Sequence, residues 1–97
     1  MDVLLIDDGS VLRGYDCRDV LQVEEIPEND DAVIPEKFLV HLGRMGSRKE
    51  VRCREVVGFF ALTPREVRPV PEILRERLTG EIPWGVGLTD RGLCLLF

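Results

Sequence analysis

Short apolar runs broken by turn residues at close spacing dominate this chain, a pattern that predicts antiparallel strands rather than helices. Val3 to Asp7 reads as a strand, Asp8-Gly9 as a hairpin turn and Val11 to Tyr15 as the returning strand. Asp16 is placed to cap one helical turn across Arg18 and Asp19, after which Val20-Leu21-Gln22-Val23 returns to strand character. Pro27 to Pro35 is a polar connector. Phe38, Val40 and Leu42 then alternate with their neighbours, Gly43 to Gly46 makes a turn, and Val51 and Cys53 alternate with Glu50, Arg52 and Arg54, giving a second hairpin with one wet face.

Val56 to Leu62 reads as a buried strand in which Gly58 marks a bulge or a close backbone approach. Thr63-Pro64-Arg65-Glu66 fits a capping box with proline at the first helical position, so a short helix is predicted there, and Pro69 and Pro71 stop it. Glu72 to Leu78 predicts two amphipathic turns with Ile73, Leu74 and Leu78 inward. The last strands are Trp84 to Leu88 and Leu93 to Phe97, joined across Thr89 to Gly92. Mostly β-structure with two short helices, near Thr63 and Glu72, is the expectation.

Length bounds the answer to one domain. The 97 residues support a single modest core, and 44% hydrophobic with 32% charged residues is the composition of a folded globular protein. No uncharged apolar run approaches the ~20 residues of a membrane helix, and the acidic start is unlike a secretory signal, which predicts a cytoplasmic protein with no membrane insertion. The net charge of −5 is unevenly spread: residues 1–36 carry 11 acidic and 2 basic side chains, and residues 37–97 carry 11 basic and 7 acidic. Such polarity either orients a charged protein partner or draws the two halves together in the fold. The overall acidity and 6% aromatic content argue against nucleic acid.

Little here suggests catalysis. Cys17, Cys53 and Cys94 are odd in number and far apart, which fits buried structural thiols and no disulfide, metal site or cofactor. His41, the one histidine, shares a strand face with Leu39 and is expected to be partly buried and hydrogen-bonded rather than a general base. Leu4-Leu5-Ile6-Asp7-Asp8 resembles the start of a response-regulator receiver. That likeness ends there: no aspartate lies between Asp31 and Asp90, no lysine follows Lys49, and alternating βα units are missing.

A second resemblance runs through most of the chain. Val11 to Glu25, with Tyr15-Asp16-Cys17-Arg18-Asp19-Val20-Leu21, resembles the early segment of CheW-like domains. Arg54 to Pro71 resembles their later strand and proline-punctuated stretch, and Trp84 to Phe97 their closing hairpin. The resemblance implies small SH3-like antiparallel β-barrels within one CheW-like domain over residues 1–97, shorter than the usual two-barrel form. Such domains carry a central G-V-I-N-L-R-G-type segment, whereas Glu24 to Lys37 passes straight into the next strand; Gly85-Val86 to Arg91-Gly92 is an alternative location for it. The chain is therefore a reduced relative, or a piece that stops early.

What the resemblance implies is a non-catalytic adaptor of bacterial chemotaxis, coupling a chemoreceptor to a CheA-like histidine kinase through protein contacts. It points to Val20 and Leu21, in the family's apolar turn, and to Arg91, in its glycine-flanked turn, as partner-binding residues. Core packing and a solvated turn charge account for the same residues. Two other readings stand beside it: a stand-alone β-barrel interaction module, and a small enzyme acting through Asp7 and Asp8. Unpaired strand edges are expected around Val56 to Leu62 and Leu93 to Phe97, with homodimerisation by exchange of the terminal strand through Leu93, Leu95 and Phe97. A barrel closed on itself, with these residues in its core, is the competing expectation.

Overall fold

The computed structural model describes residues 1–27, 36–78 and 80–97. Among these residues the strands are β1 (Asp2–Asp7), β2 (Leu12–Asp16), β3 (Val20–Glu25), β4 (Phe38–Arg44), β5 (Ser47–Cys53), β6 (Glu55–Ala61), β7 (Val67–Arg68), β8 (Gly85–Thr89) and β9 (Gly92–Leu96). Among the described residues helical structure is confined to single turns: 3-10 turns at Cys17–Asp19 and Pro64–Glu66, and α1 (Glu72–Arg75). The first was foreshadowed by Asp16, whose carboxylate accepts the Arg18 N–H at 2.9 Å. In the second, the Glu66 carboxylate accepts the Thr63 N–H at 2.9 Å, completing the capping box. Most of the connector, residues 28–35, lies outside the described residues.

The strands form two sheets, one of six in the order β6-β1-β2-β9-β8-β7 and one of three in the order β3-β4-β5. The mainly β fold is as expected, but neither sheet closes on itself, so the SH3-like barrels are replaced by open sheets. The predicted hairpins are present: β1 with β2, β4 with β5 across Met45-Gly46, and β8 with β9. Local alternation did not foresee the parallel pairing of β2 with β9, in which Leu12 faces Cys94 and Gly14 faces Leu96.

β1 is the central element of the core because both its faces are apolar. Leu4 and Ile6 point to one side and meet Tyr15 of β2 and Val40, Leu42, Val51 and Cys53 of the small sheet. Val3 and Leu5 point to the other and pack with Leu62, Cys94 and Leu96. The first cluster joins the two sheets. The second closes the far face of the large sheet, where the chain after β6 folds back.

Three expectations about exposure are corrected. β6 is not buried: among the described residues it is an edge strand paired only with β1, and Phe59 is 69% exposed. The bulge predicted there is real, since Leu5 faces Gly58 and Ile6 faces Val56, leaving Val57 extra, and Gly58 adopts φ 142°, a conformation that favours glycine. Ile73 and Leu74 face solvent, Ile73 at 63%, because one helical turn bracketed by Pro71 and Gly80 cannot lay two faces on the core. Finally, Leu93–Phe97 is no free edge. β9 has β2 on one side and β8 on the other, so the unpaired edge expected there is absent while that at β6 is present.

Candidate functional site

The carboxylates of Asp7 and Asp8 organise the β1–β2 turn. Asp7 accepts the Gly9 N–H at 2.8 Å; Asp8 accepts those of Ser10 and Val11 at 2.9 and 3.0 Å and the Arg13 Nε–H at 2.9 Å. These are the bonds of an aspartate turn, which accounts for the acidic pair without chemistry on a substrate. Arg13 goes further. Its Nη1 donates to the Tyr15 hydroxyl at 3.3 Å, and its guanidinium lies 4.6 Å from the centre of the Phe97 ring, which stacks on Tyr15 at 5.9 Å.

Burial pushes the Asp8 carboxyl up, but the N–H groups of Val11 and Ser10 and the Arg13 charge outweigh it, and its pKa falls below the ordinary value. Hydrogen bonds from Arg18 lower Asp16, and those from Thr63 lower Glu66. A carboxyl whose folded pKa lies below its unfolded one stabilises the fold at pH above the unfolded value, and that contribution is lost as pH falls through the folded value. Urea midpoints should therefore hold steady down to about pH 5 and drop below about pH 4. Asp8→Asn should flatten part of that drop; a drop of unchanged steepness would show that Asp8 contributes nothing to it.

The thiols are poor nucleophiles. Cys53 is fully buried with its pKa pushed up to about 11, chiefly by burial, and burial likewise raises Cys94 and the half-buried Cys17. All three thiols are free, and Cys17 is only partly buried. His41 sits on the outer face of the small sheet with Nε2 3.1 Å from a Glu24 oxygen and Nδ1 3.6 Å from one of Glu50. Among the described residues no three His, Cys, Asp or Glu side chains are grouped to hold a metal ion.

Where the two sheets meet, a groove of about 160 Å³ opens to solvent. Its apolar lining is Tyr15 of β2, Leu42 of β4 and Phe97, residues that reach the seam from three distant points of the chain. Charged pairs from facing segments, Asp19 with Arg44 at 4.0 Å and Lys49 with Glu81, form its rim, and Ser47 completes it. Small-molecule sites usually enclose ~300–1,000 Å³. This groove has room for a partner's side chain rather than for a cofactor. Two roomier depressions, about 490 Å³ beside Leu21 and His41 and about 620 Å³ beside Phe38 and Arg54, are lined mainly by polar side chains.

The residues singled out in the sequence do not converge. Val20 packs against the core between the sheets. Leu21, 57% exposed, occupies a bulge in β3 and lies over Gly43 of β4. Arg91 is exposed in the β8–β9 turn of the other sheet, its N–H donating to the Thr89 hydroxyl at 3.2 Å. Leu93 and Leu95 do share a face of β9, as alternation requires, and Leu93 is 64% exposed beside its cross-strand partner Leu88. Phe97 shares that face too, yet it lies against Tyr15 at the groove. Sequence reasoning missed the groove because no local pattern links residues 15, 42 and 97.

No protein-family model matches the chain, and no curated protein matches it. The fold does have a counterpart: a six-stranded and a three-stranded sheet joined at a shared core is a CheW-like fold. The likeness is to the crystal structure of the scaffolding protein TtCheW from Thermoanaerobacter tengcongensis, with a TM-score of 0.70 at 11% identity, over 98% of this chain and 86% of that one. At that identity the likeness establishes the fold. Among the described residues, no helix is long and apolar enough to cross a membrane.

Proposed function

We propose that this chain is a non-catalytic, cytoplasmic adaptor of the bacterial chemotaxis type, a single CheW-like domain that couples a chemoreceptor to a CheA-like histidine kinase. The observation that carries the reading is the fold likeness to a scaffolding protein over 98% of the chain. The groove supports it: an apolar floor of Tyr15, Leu42 and Phe97 ringed by paired charges suits an anchor side chain from a protein partner. Leu21 and Arg91 are further contact residues in this reading, exposed on separate sheets where two partners could be held at once.

Calorimetric titration against a receptor cytoplasmic tail and against a kinase regulatory domain tests the proposal. Both should bind, with dissociation constants of order micromolar. Ser47→Trp should fill the groove and weaken one of the two at least tenfold, about 1.4 kcal/mol, without changing the thermal midpoint. Binding to neither partner would overturn the adaptor role and leave the stand-alone interaction module as the better reading.

A further inference from the structure

Of the 13 Lys and Arg side chains only Lys37 and Lys49 are amines, and the fold places them differently. Lys37 is exposed at the entry to β4. Lys49 stands opposite Leu42 in the β4–β5 ladder, so its stem shares the inward face of the small sheet and reaches the groove floored by Tyr15, Leu42 and Phe97. Its ammonium pairs with Glu81, from the segment that leads into β8, while its side chain stays 44% exposed and open to a reagent.

That setting suits acyl transfer to the amine. Burial and the positive charge of Arg13, whose guanidinium lies over the Phe97 ring, push the Lys49 pKa below the ordinary lysine value, which enlarges the neutral, nucleophilic fraction. The Glu81 carboxylate, which favours the charged form, is also the group placed to take the proton that the nitrogen sheds. Arg13 and, on the rim, Arg44 bring two guanidinium charges that attract a phosphate leaving group. The groove of about 160 Å³ has room on its apolar floor for a short acyl chain and none for a fatty one.

We propose that Lys49 is a modification site that takes a short acyl group from an acyl phosphate, the acyl chain coming to rest in the groove. The neutral amine attacks the acyl carbon, and the bond from that carbon to the bridging oxygen breaks. Phosphate leaves with the electron pair, and the proton released from nitrogen passes to Glu81 and on to solvent. The amide that forms carries no charge for Glu81 to pair with. It also fills the space offered to a partner's anchor side chain; that consequence rests on the adaptor reading, whereas the reaction does not.

Incubating the full chain with butyryl phosphate or acetyl phosphate, and following each lysine by peptide mass spectrometry, tests the site. Butyryl phosphate should modify Lys49 at least about fivefold faster than Lys37, the internal reference in the same molecules. The advantage should shrink with acetyl phosphate, whose methyl group reaches less of the floor. Ser47→Trp, which fills the groove, should bring Lys49 down to the rate of Lys37. If that variant loses the wild-type thermal midpoint, the dependence on acyl length in the wild-type chain decides alone. No partner enters the assay, so its failure is distinct from failure of the adaptor reading. Equal rates at the two lysines, a preference for Lys49 indifferent to acyl length, or one that persists in folded Ser47→Trp would overturn the proposal.

Discussion

Leu4→Ala is expected to remove about 2–5 kcal/mol of unfolding free energy, the range for emptying a buried leucine site. Leu4 is fully buried on the central strand β1, between Tyr15 and the residues of the small sheet, so no solvent-facing side chain can collapse into the space. A domain of this size has only about 5–15 kcal/mol in total. Denaturation in urea should show the midpoint falling by a large fraction with the slope unchanged. Leu5→Ala should cost a similar amount through the opposite core, where Leu5 packs with Leu62, Cys94 and Leu96. A loss below about 1 kcal/mol for either would show that β1 is not packed on that face.

Gly87→Val is the other large effect, and it arises from excess volume rather than a void. A Cβ at position 87 would stand 2.8 Å from the Cys94 Sγ and 3.1 Å from the Leu62 Cδ1, and both neighbours are buried with little room to withdraw. Overpacking of this kind typically costs about 1–3 kcal/mol, and the branched valine should lie at or above the upper end. Gly87→Val with Cys94→Ala should recover part of the loss, since the thiol is the nearer obstacle. If the thermal midpoint of Gly87→Val matches the wild type, the close approach of β8 to the core is not as described.

Hairpins were legible in the sequence because their causes are local. Asp8-Gly9, Met45-Gly46 and Asp90-Arg91 are turn residues flanked by alternating positions, and each does join neighbouring strands. Pairing between distant segments has no such signature. Nothing in Leu12 to Gly14 announces a parallel partner at Cys94 to Leu96, and without that partner neither the six-strand order nor the open sheets can be foreseen. The same ambiguity explains β6: Val56-Val57-Gly58-Phe59-Phe60 is as apolar as a buried strand, and its position at the end of the sheet leaves Phe59 uncovered although it pairs with the buried Leu4. The CheW-like fold was legible by resemblance, while the groove had to await the meeting of Tyr15, Leu42 and Phe97.

The insertion of β9 between β2 and β8 sets the order in which the molecule can be completed during its synthesis. The first hairpin, complete at Asp16, leaves the ribosome well before residues 92–96, the strand that seals the outer side of β2. Until residues 92–96 emerge, Leu12 and Gly14 are paired on their β1 side alone, and the core holding Cys94 and Leu96 cannot close. Pairings across so great a sequence separation are slow to form, because the entropy of closing the loop must be overcome before any contact compensates for it. The nascent chain thus carries an open β2 edge while residues 17–91 are made, and chaperone occupancy over that stretch should be highest just before β9 is delivered.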